Sequence, residues 1–298
     1  MLEMNLDGIE PRRRSVSQFN TFMQCAEMYR LQRVAHVRQK PAAWLPMGTA
    51  IHEVLEEWEK WGRVGTVEEA QVMFAGKFTE QVEELAESSG YDYDEWLTGS
   101  KKLGSTDIAE RLIKGQEHVA RYIEWANSTS NEWRIATLDG RPALELEFDI
   151  ELGGVKVKGF IDQVVETASG VIYPRDIKSG SRRPETPFQL AVYAVALGRL
   201  YGIECETGAF AMTKEAGAKI EHFEPLHRWS EDMLSTMFHH FNVMELAGLY
   251  IPEPGAHCRT CPVVEYCRVM GDPERSSQHL EGVLEVRQPV ETGGQSSL

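Results

Sequence analysis

Two β-prone runs, at 155–166 and 171–177, lie on either side of a short turn and predict an antiparallel hairpin. If the turn is centred on Ser169, then Asp162 and Asp176 face each other, because each lies seven residues from that centre. Like charges directly opposed in a sheet are destabilising unless a cation separates them. Hard divalent ions prefer carboxylate oxygens. The hairpin therefore predicts a sheet that presents two carboxylates to Mg²⁺ or Mn²⁺.

Lys178 belongs to the same group of side chains. It lies two residues after Asp176, so strand alternation places both side chains on one face. A carboxylate pair beside a lysine suits phosphodiester hydrolysis, since a metal ion polarises the phosphate and activates water. The lysine would offset negative charge that develops on the phosphate. A solvated surface hairpin is the alternative, because Asp-x-Lys alone is common in unrelated proteins.

The spacing of apolar residues predicts helices before and after a central block of strands. Helices are predicted at about 17–34, from Gly48 onward, and at 66–88, 106–127, 187–201 and 230–248. Further strands are predicted at 143–152, 206–213 and 218–224. The pattern favours one α/β (α+β) domain over residues 1–270, with helices at about 15–127, a mostly antiparallel sheet at about 142–224, and a helix with a cysteine knuckle at about 230–270. The polar residues 276–298 predict a disordered tail.

The composition narrows the class of protein. A hydrophobic share of 42% and a charged share of 26% are those of a globular chain. No apolar run approaches the roughly 18 residues of a membrane helix, and the N-terminus lacks the apolar stretch of a signal peptide. We therefore expect a cytoplasmic protein with no membrane partner. The net charge of −15 argues against non-specific coating of nucleic acid, although a local basic track remains compatible with it.

Four short motifs occur together in the order helix, strand, strand, helix: Gly48-x-x-x-His52, Gly159-Phe-Ile-Asp162, Asp176-Ile-Lys178-Ser-Gly180 and Gln189-x-x-x-Tyr193. In order and spacing they resemble the PD-(D/E)XK nuclease superfamily, and the histidine motif resembles that of its RecB-like exonuclease branch. The match extends over residues 15–270. The resemblance implies a restriction-endonuclease-like fold, in which helices flank a mixed sheet core, and metal-dependent cleavage of DNA.

The resemblance also implies roles for single residues. The metal ion would be held by His52, Asp162, Asp176 and the backbone carbonyl of Ile177, and Lys178 would be the catalytic lysine. These five positions come from one helix and two strands, so only the folded chain would assemble them.

Further catalytic positions follow from the next helix and the preceding strand. Gln189 and Tyr193 lie four residues apart on one helix face, where the family uses such a pair to orient the lysine and contact DNA. A glutamate on the strand before the hairpin often joins the site. Glu145 is assigned to that position, with Glu147 on the same face as the alternative.

The hairpin departs from the family pattern at one point. Pro174 and Arg175 precede Asp176, where the family more often has an apolar strand. Proline lacks the N–H that a ladder needs, so we expect this strand to be an edge strand or to carry a bulge. The family's frequent Lys-Thr-Gly is Lys178-Ser-Gly here.

Three of the five cysteines are clustered as Cys258-x2-Cys261-x5-Cys267, a spacing typical of a metal or cluster site. Cys25, in the first predicted helix, is the natural fourth ligand. Four thiolates suit zinc or an iron–sulfur cluster equally well. The arrangement resembles the iron–sulfur nucleases of the same superfamily, the AddB-type and CRISPR-associated RecB-like exonucleases, which implies a [4Fe–4S] cluster joining the two ends of the domain. Cys205 is interpreted as a buried small residue.

Basic and aromatic residues could contact DNA. Arg182 and Arg183 closely follow the lysine, and Arg12-Arg13-Arg14 forms a second basic run, but a solvated face explains either equally well. Four tryptophans could stack on bases, although core packing is the better interpretation for most: Trp44, Trp58, Trp61 and Trp96.

Taken together, the motifs predict a Mg²⁺- or Mn²⁺-dependent DNA exonuclease that prefers single strands or DNA ends. No ATPase P-loop motif occurs, so a helicase or recombination partner would be a separate chain. The alternatives are a non-catalytic subunit of a recombination or CRISPR-adaptation complex that keeps the cluster, and a zinc-stabilised binding module.

Overall fold

A computed structural model describes residues 13–278. The predicted tail is described only at 276–278, which belong to a short helix, and 279–298 lie outside the described residues. Within the described range, no helix combines the length and the apolar character that crossing a membrane requires.

The first predicted helix is in fact two helices, α1 (Val16–Gln24) and α2 (Ala26–Arg33). Ser15 begins α1 with a capping box, in which its hydroxyl accepts from the backbone N–H of Gln18. Cys25 ends α1 in an extended conformation, with φ −165° and ψ 107°. The prediction of one continuous helix was wrong at this residue, because the apolar spacing continues across the break and gives no sign of it.

Three longer helices form a layer on one side of the molecule: α3 (Trp44–Lys60), α4 (Val67–Ser89) and α5 (Gly104–Ser128). Thr66 begins α4 with a second capping box, and Gly90 ends it in the left-handed conformation, φ 63°, which favours glycine. The apolar faces of the three helices pack together and against the sheet.

The sheet has six strands: β1 (Trp133–Ile135), β4 (Leu144–Leu152), β5 (Val155–Thr167), β6 (Ile172–Lys178), β7 (Thr207–Met212) and β8 (Glu221–Pro225). Two shorter strands, β2 (Thr137–Leu138) and β3 (Arg141–Pro142), form a separate hairpin. The order is β1-β5-β6-β7-β8, with β4 also paired to β5. Only β6 and β7 are parallel, and α6 (Phe188–Tyr201) makes the crossover between them. The expected mixed sheet flanked by helices is thereby confirmed.

The two faces of the sheet carry separate apolar cores. One face packs against α1, α6 and α7 (Glu231–Leu246), with aromatic contacts such as Phe19 stacked on Phe188, 4.4 Å between ring centroids. The other face packs against α3, α4 and α5. The last helix within the described residues, α8 (Pro273–Gln278), follows the cysteine knuckle.

The predicted hairpin register is confirmed. Gln163 pairs with Arg175 and Val164 with Pro174, so Asp162 lies opposite Asp176. Beyond Gln163 the ladder between β5 and β6 ends, and the strands separate at the two aspartates.

The prediction that Pro174 makes its strand an edge was wrong, because β6 lies between β5 and β7. Opposite Pro174, Val164 turns its backbone away from β6: its N–H donates to Ala143 and its carbonyl accepts from Ala136. Pro174 therefore sits at a non-hydrogen-bonded pair, where β5 needs no N–H from it. On the other side, the pairing with β7 begins one residue later, at Arg175.

Candidate active site

A histidine and two carboxylates from three different elements converge at one point. The ligand atoms of His52, Glu145 and Asp162 all lie within 4.8 Å of one another, and all three side chains are half-buried. The Nδ1 atom of His52 is 3.4 Å from Oδ2 of Asp162. Glu145 lies opposite Asp162 because β4 and β5 pair Leu144 with Gln163 and Leu146 with Ile161.

Gly48 explains why α3 can bring His52 to the sheet. A Cβ atom at Gly48 would lie 3.2 Å from the Ser179 hydroxyl, closer than most real Cβ contacts. The helix therefore comes close to the residue after β6 at a position that has no side chain. His52 follows one turn later on the same helix face.

The separation of β5 and β6 leaves a backbone N–H to be satisfied, and a site residue satisfies it. The N–H of Ile177 donates to Oδ2 of Asp162 at 2.7 Å. A backbone hydrogen bond with Ile177 also acts on the His52 ring and partly offsets the effect of burial on the His52 pKa. The Asp162 carboxylate thus fixes the backbone of β6 beside the histidine.

A chain of hydrogen bonds holds Lys178. Its Nζ atom is 2.6 Å from Oδ2 of Asp176 and donates to Oε1 of Gln189 at 3.0 Å. The Nε2 atom of Gln189 in turn donates to the Tyr193 hydroxyl at 2.6 Å. Asp176 is only 1% exposed, so it lies behind the lysine and holds it in place.

The electrostatics of the group suit a bound divalent cation. Burial raises the pKa of Glu145 to about 7, and the neighbouring Asp162 carboxylate adds to the effect. Burial also raises the pKa of Asp162 well above its usual range, with Asp176 as the second cause. For His52, burial lowers the pKa, which favours the neutral imidazole. A divalent ion would favour both ionised carboxylates and neutral imidazole, so this donor set fits one.

Glu145 carries a second sign of a functional position. Its φ is +43°, in the left-handed region that a side chain rarely adopts. Such strain persists only where the surroundings impose it. The alternative glutamate is far less constrained: Glu147 is exposed and forms an ion pair with Lys158 on the sheet surface. The structure therefore places Glu145, and not Glu147, beside His52 and Asp162.

The four cysteines line one small apolar cavity. Cys25, at the break between α1 and α2, meets Cys258, Cys261 and Cys267 there. Burial raises the pKa of the Cys261 thiol to about 11, and the other three sulfur atoms contribute. Cys205 lies elsewhere and is half-buried against the first core; burial raises its pKa to about 11.

Two of the predicted DNA contacts lie outside this group of residues. Arg182 and Arg183 are exposed, and Arg183 forms an ion pair with Glu224 at 3.2 Å. Of the tryptophans, Trp58 and Trp96 are buried, Trp44 is half-buried and Trp61 is 56% exposed.

The hypothesis that Arg14 contacts phosphates was wrong. Its side chain is buried and its guanidinium forms an ion pair with Glu245. Arg13 is exposed and pairs with Asp149, and Arg12 lies outside the described residues.

A second set of hydrogen bonds, which was not predicted from the sequence, holds β6 in place at Lys178. The Thr213 N–H donates to the Lys178 carbonyl at 3.0 Å, and the Thr213 hydroxyl lies 3.0 Å from Nδ1 of His118 on α5. Burial lowers the pKa of His118 to about 4. A lone histidine in the middle of a helix gave no sequence signal for this contact, because only the parallel pairing of β6 and β7 brings Thr213 there.

Comparison with known proteins agrees with this geometry. A family model for the PD-(D/E)XK nuclease superfamily matches residues 13–268. The Gene 69 protein of Mycobacterium phage D29 is 37% identical over 265 residues, covering 86% of this chain and 96% of that protein. The Gene 69 protein of Mycobacterium phage L5 is 34% identical over 284 residues, with the same two coverages. Nearly the whole described chain is matched, and it belongs to the PD-(D/E)XK nuclease superfamily.

Proposed function

We propose that this metal-dependent nuclease is a DNA exonuclease that acts on single strands or DNA ends, uses Mg²⁺ or Mn²⁺, and carries a structural [4Fe–4S] cluster. The observation that supports cleavage most directly is the convergence of His52, Glu145 and Asp162 near the ion pair between the buried Asp176 and the half-buried Lys178. A non-catalytic subunit would have no need of this arrangement.

The proposed ligands are the four predicted from the sequence, His52, Asp162, Asp176 and the Ile177 carbonyl. Glu145 joins them, because its ligand atom lies within 4.8 Å of those of His52 and Asp162. A divalent ion bound there would polarise the scissile phosphate and lower the pKa of a water molecule. Hard cations of this kind prefer oxygen ligands, which all but one of these residues supply.

Lys178 would act as a fixed positive charge. Burial lowers its pKa, but the carboxylates of Asp176 and Asp162 outweigh that effect and the net direction is upward. The amine therefore stays protonated at neutral pH. Held by Asp176 and Gln189, it can donate to an attacking water molecule or to a phosphate oxygen without first reorganising.

Gln189 and Tyr193 would position the lysine through their hydrogen bonds. Burial raises the pKa of Tyr193 well above its usual range, so its hydroxyl stays protonated. Tyr193 also packs edge-on against Phe148, with 5.8 Å between ring centroids, which fixes the end of the chain of hydrogen bonds.

The proposed cluster rests on the cavity that the four cysteines share. Four thiolates suit zinc or an iron–sulfur cluster. The resemblance of the cysteine pattern to that of the iron–sulfur nucleases of the same superfamily favours the [4Fe–4S] cluster.

Cleavage is tested with end-labelled linear single-stranded DNA and Mn²⁺ or Mg²⁺. We expect wild type to degrade it, and Asp176→Ala and Lys178→Ala to lose roughly a hundredfold or more in rate. Lys156→Ala, an exposed lysine on β5, is the matched control and should keep wild-type activity. An inactive wild type with every divalent ion would favour the non-catalytic alternative, and active variants would refute the assigned residues.

The preference for ends is tested with a circular single strand of the same sequence. An exonuclease leaves the circle intact while it degrades the linear form. Equal rates on both substrates would refute the exonuclease assignment and leave an endonuclease.

The cluster is tested on anaerobically purified protein. We expect a brown protein whose visible absorbance is bleached by dithionite, and the colour should be lost in Cys258→Ser but kept in Cys205→Ser. A colourless protein with one zinc per chain would refute the iron–sulfur assignment.

A further inference from the structure

A large cleft begins where the candidate active site ends. It has a volume of about 1370 Å³, and its floor includes Ser179, Gly180 and Ser181, which directly follow the catalytic lysine. Its walls come from one face of α5, from the segment 37–47 that leads into α3, and from 257–262 in the cysteine knuckle. The cleft thus connects the metal-binding group to the region of the four thiols.

The charge of this cleft is opposite to that of the protein as a whole. Seven lysines and arginines line it against a single carboxylate, Glu117, in a chain with a net charge of −15. The arginines and lysines come from all sides: Arg33, Arg38, Lys40, Arg111, Lys114 and Arg121, with Lys214 beside the floor. Positive charge concentrated in a concave surface attracts a polyanion.

Two of these side chains, Lys114 and Arg121, have carboxylate neighbours that are weak competitors, whereas Arg111 pairs with the buried Asp107 at 2.7 Å. Lys114 pairs with Glu110 at 2.8 Å, and Arg121 with Glu117 at 2.8 Å, both on the surface of α5. Exposed pairs of this kind contribute little to stability. A phosphate can therefore replace the carboxylate at small cost. Arg33 is exposed at the end of α2, where it can contact another phosphate of the same polyanion.

The cleft also offers apolar surface. Trp44 is half-buried and Leu45 is 55% exposed, and both line the same wall. Bases of a single strand can stack or pack on such side chains, whereas a duplex hides its bases from them. Basic residues interleaved with apolar ones favour a single strand over a duplex.

Hydrogen bonds tie the floor of the cleft to its basic wall. The Nζ atom of Lys214 donates to the Ser181 carbonyl at 2.8 Å, and Arg121 donates to the Lys214 carbonyl at 2.9 Å. The loop after Lys178 is thereby held against α5. By contrast, Arg182 and Arg183 do not line the cleft.

We propose that this cleft binds the single-stranded part of the DNA substrate and leads it to Asp176 and Lys178. The proposal rests on the nuclease function proposed above and names the surface that serves it. It assigns the phosphate contacts to α2, α5 and the loop before α3, in place of the arginine pair that follows the lysine.

The far wall of the cleft links DNA binding to the cysteines. Cys261 lines both the cleft and the thiol cavity. The backbone N–H of Lys40 donates to the Pro262 carbonyl at 2.8 Å, so the basic segment rests on the knuckle. A metal ion or cluster bound by the four thiols would therefore also stabilise one wall of the cleft.

The test measures binding without cleavage, with full-length protein and a labelled oligothymidylate in the absence of divalent metal. Arg33→Ala with Lys114→Ala removes two exposed charges of the cleft. We expect roughly tenfold weaker binding, and a slope of log affinity against log salt that is smaller by about 1.4. Lys156→Ala with Lys219→Ala removes the same charge from exposed positions outside the cleft, and should bind like wild type.

Three results would overturn the proposal. One is an equal loss in both double variants, which would reflect net charge alone. Another is a loss in Arg182→Ala with Arg183→Ala while the cleft variant binds normally. The third is a blunt duplex that wild type binds as tightly as the single strand, and whose binding the cleft variant weakens to the same extent. A wild type that binds through the cleft but cleaves nothing would refute the nuclease function and leave the cleft assignment standing.

Discussion

Arg13 and Arg14 are adjacent residues of identical chemistry, and we expect their contributions to stability to differ greatly in size. Arg14 is 3% exposed, and besides its ion pair with Glu245 it donates to Asn242 at 2.9 Å and to the Tyr29 hydroxyl at 3.1 Å. Arg14→Ala removes the guanidinium that faces a carboxylate whose side chain is only 6% exposed. Breaking a buried pair from one side costs about 3–5 kcal/mol. The lower end applies, because Tyr29 still donates to Glu245 at 2.7 Å.

Arg13→Ala is the matched control. The Arg13 side chain is 61% exposed and its partner Asp149 is 42% exposed, at 3.1 Å. An exposed pair of this kind contributes about 0–1 kcal/mol. We therefore expect the free energy of unfolding to fall by about 3 kcal/mol in Arg14→Ala and by less than about 1 kcal/mol in Arg13→Ala.

Urea unfolding followed by circular dichroism measures both values. Adding Glu245→Ala to Arg14→Ala should recover part of the loss, because the double variant no longer buries the carboxylate. Equal destabilisation by the two arginine variants, or a further loss in the double variant, would refute the assignment of a buried ion pair.

Three further outcomes are expected. Gly159→Ala should lower the free energy of unfolding by about 1–3 kcal/mol in urea titration, because its Cβ would lie 2.7 Å from the Phe148 ring. Glu145→Gln should weaken Mn²⁺ binding roughly tenfold or more by calorimetry, whereas Glu147→Gln should leave it unchanged. His118, whose pKa burial lowers to about 4, binds its proton more readily when unfolded, so its contribution to stability is present above about pH 6.5 and lost towards pH 4. His118→Gln should flatten that part of the stability–pH curve, and an unchanged curve would contradict the assignment.

The hairpin shows how far the sequence can predict the site. Symmetry about Ser169 alone places Asp162 opposite Asp176, and the observed ladder has this register. The same reasoning, applied to the turn at Gly153-Gly154, would have placed Glu145 opposite Asp162, as the pairing of Leu144 with Gln163 confirms. Local turn geometry therefore contains enough information to find the acidic residues.

Features that depend on packing between distant elements were not predictable in this way. The break at Cys25 lies within a continuous apolar pattern, so only the extended backbone reveals it. Pro174 is tolerated inside the sheet because the backbone of Val164 forms its hydrogen bonds with Ala136 and Ala143 and needs none from Pro174. These partners lie outside the hairpin, so the hairpin sequence does not reveal them. The burial of Arg14 depends on Glu245, far along the chain.

The basic cleft was missed for a related reason. Its arginines and lysines are scattered from 33 to 214 and form no run in the sequence, whereas Arg182-Arg183 forms one and attracts notice. Charge clustering in space and charge clustering along the chain are separate properties, and an acidic protein can have the first without the second.

The contacts of α1 and α2 with the C-terminal part also have a consequence for the order of folding. Arg14 and Glu245 are 231 residues apart, and the Glu253 N–H that donates to the Cys25 sulfur is 228 residues from it. Contacts of such separation carry the greatest loop-closure cost and tend to form slowly. The β4–β5–β6 meander, whose turns are short, can form while the chain is still being synthesised. We therefore expect the two N-terminal helices to dock last and, in native-state hydrogen exchange, to detach first.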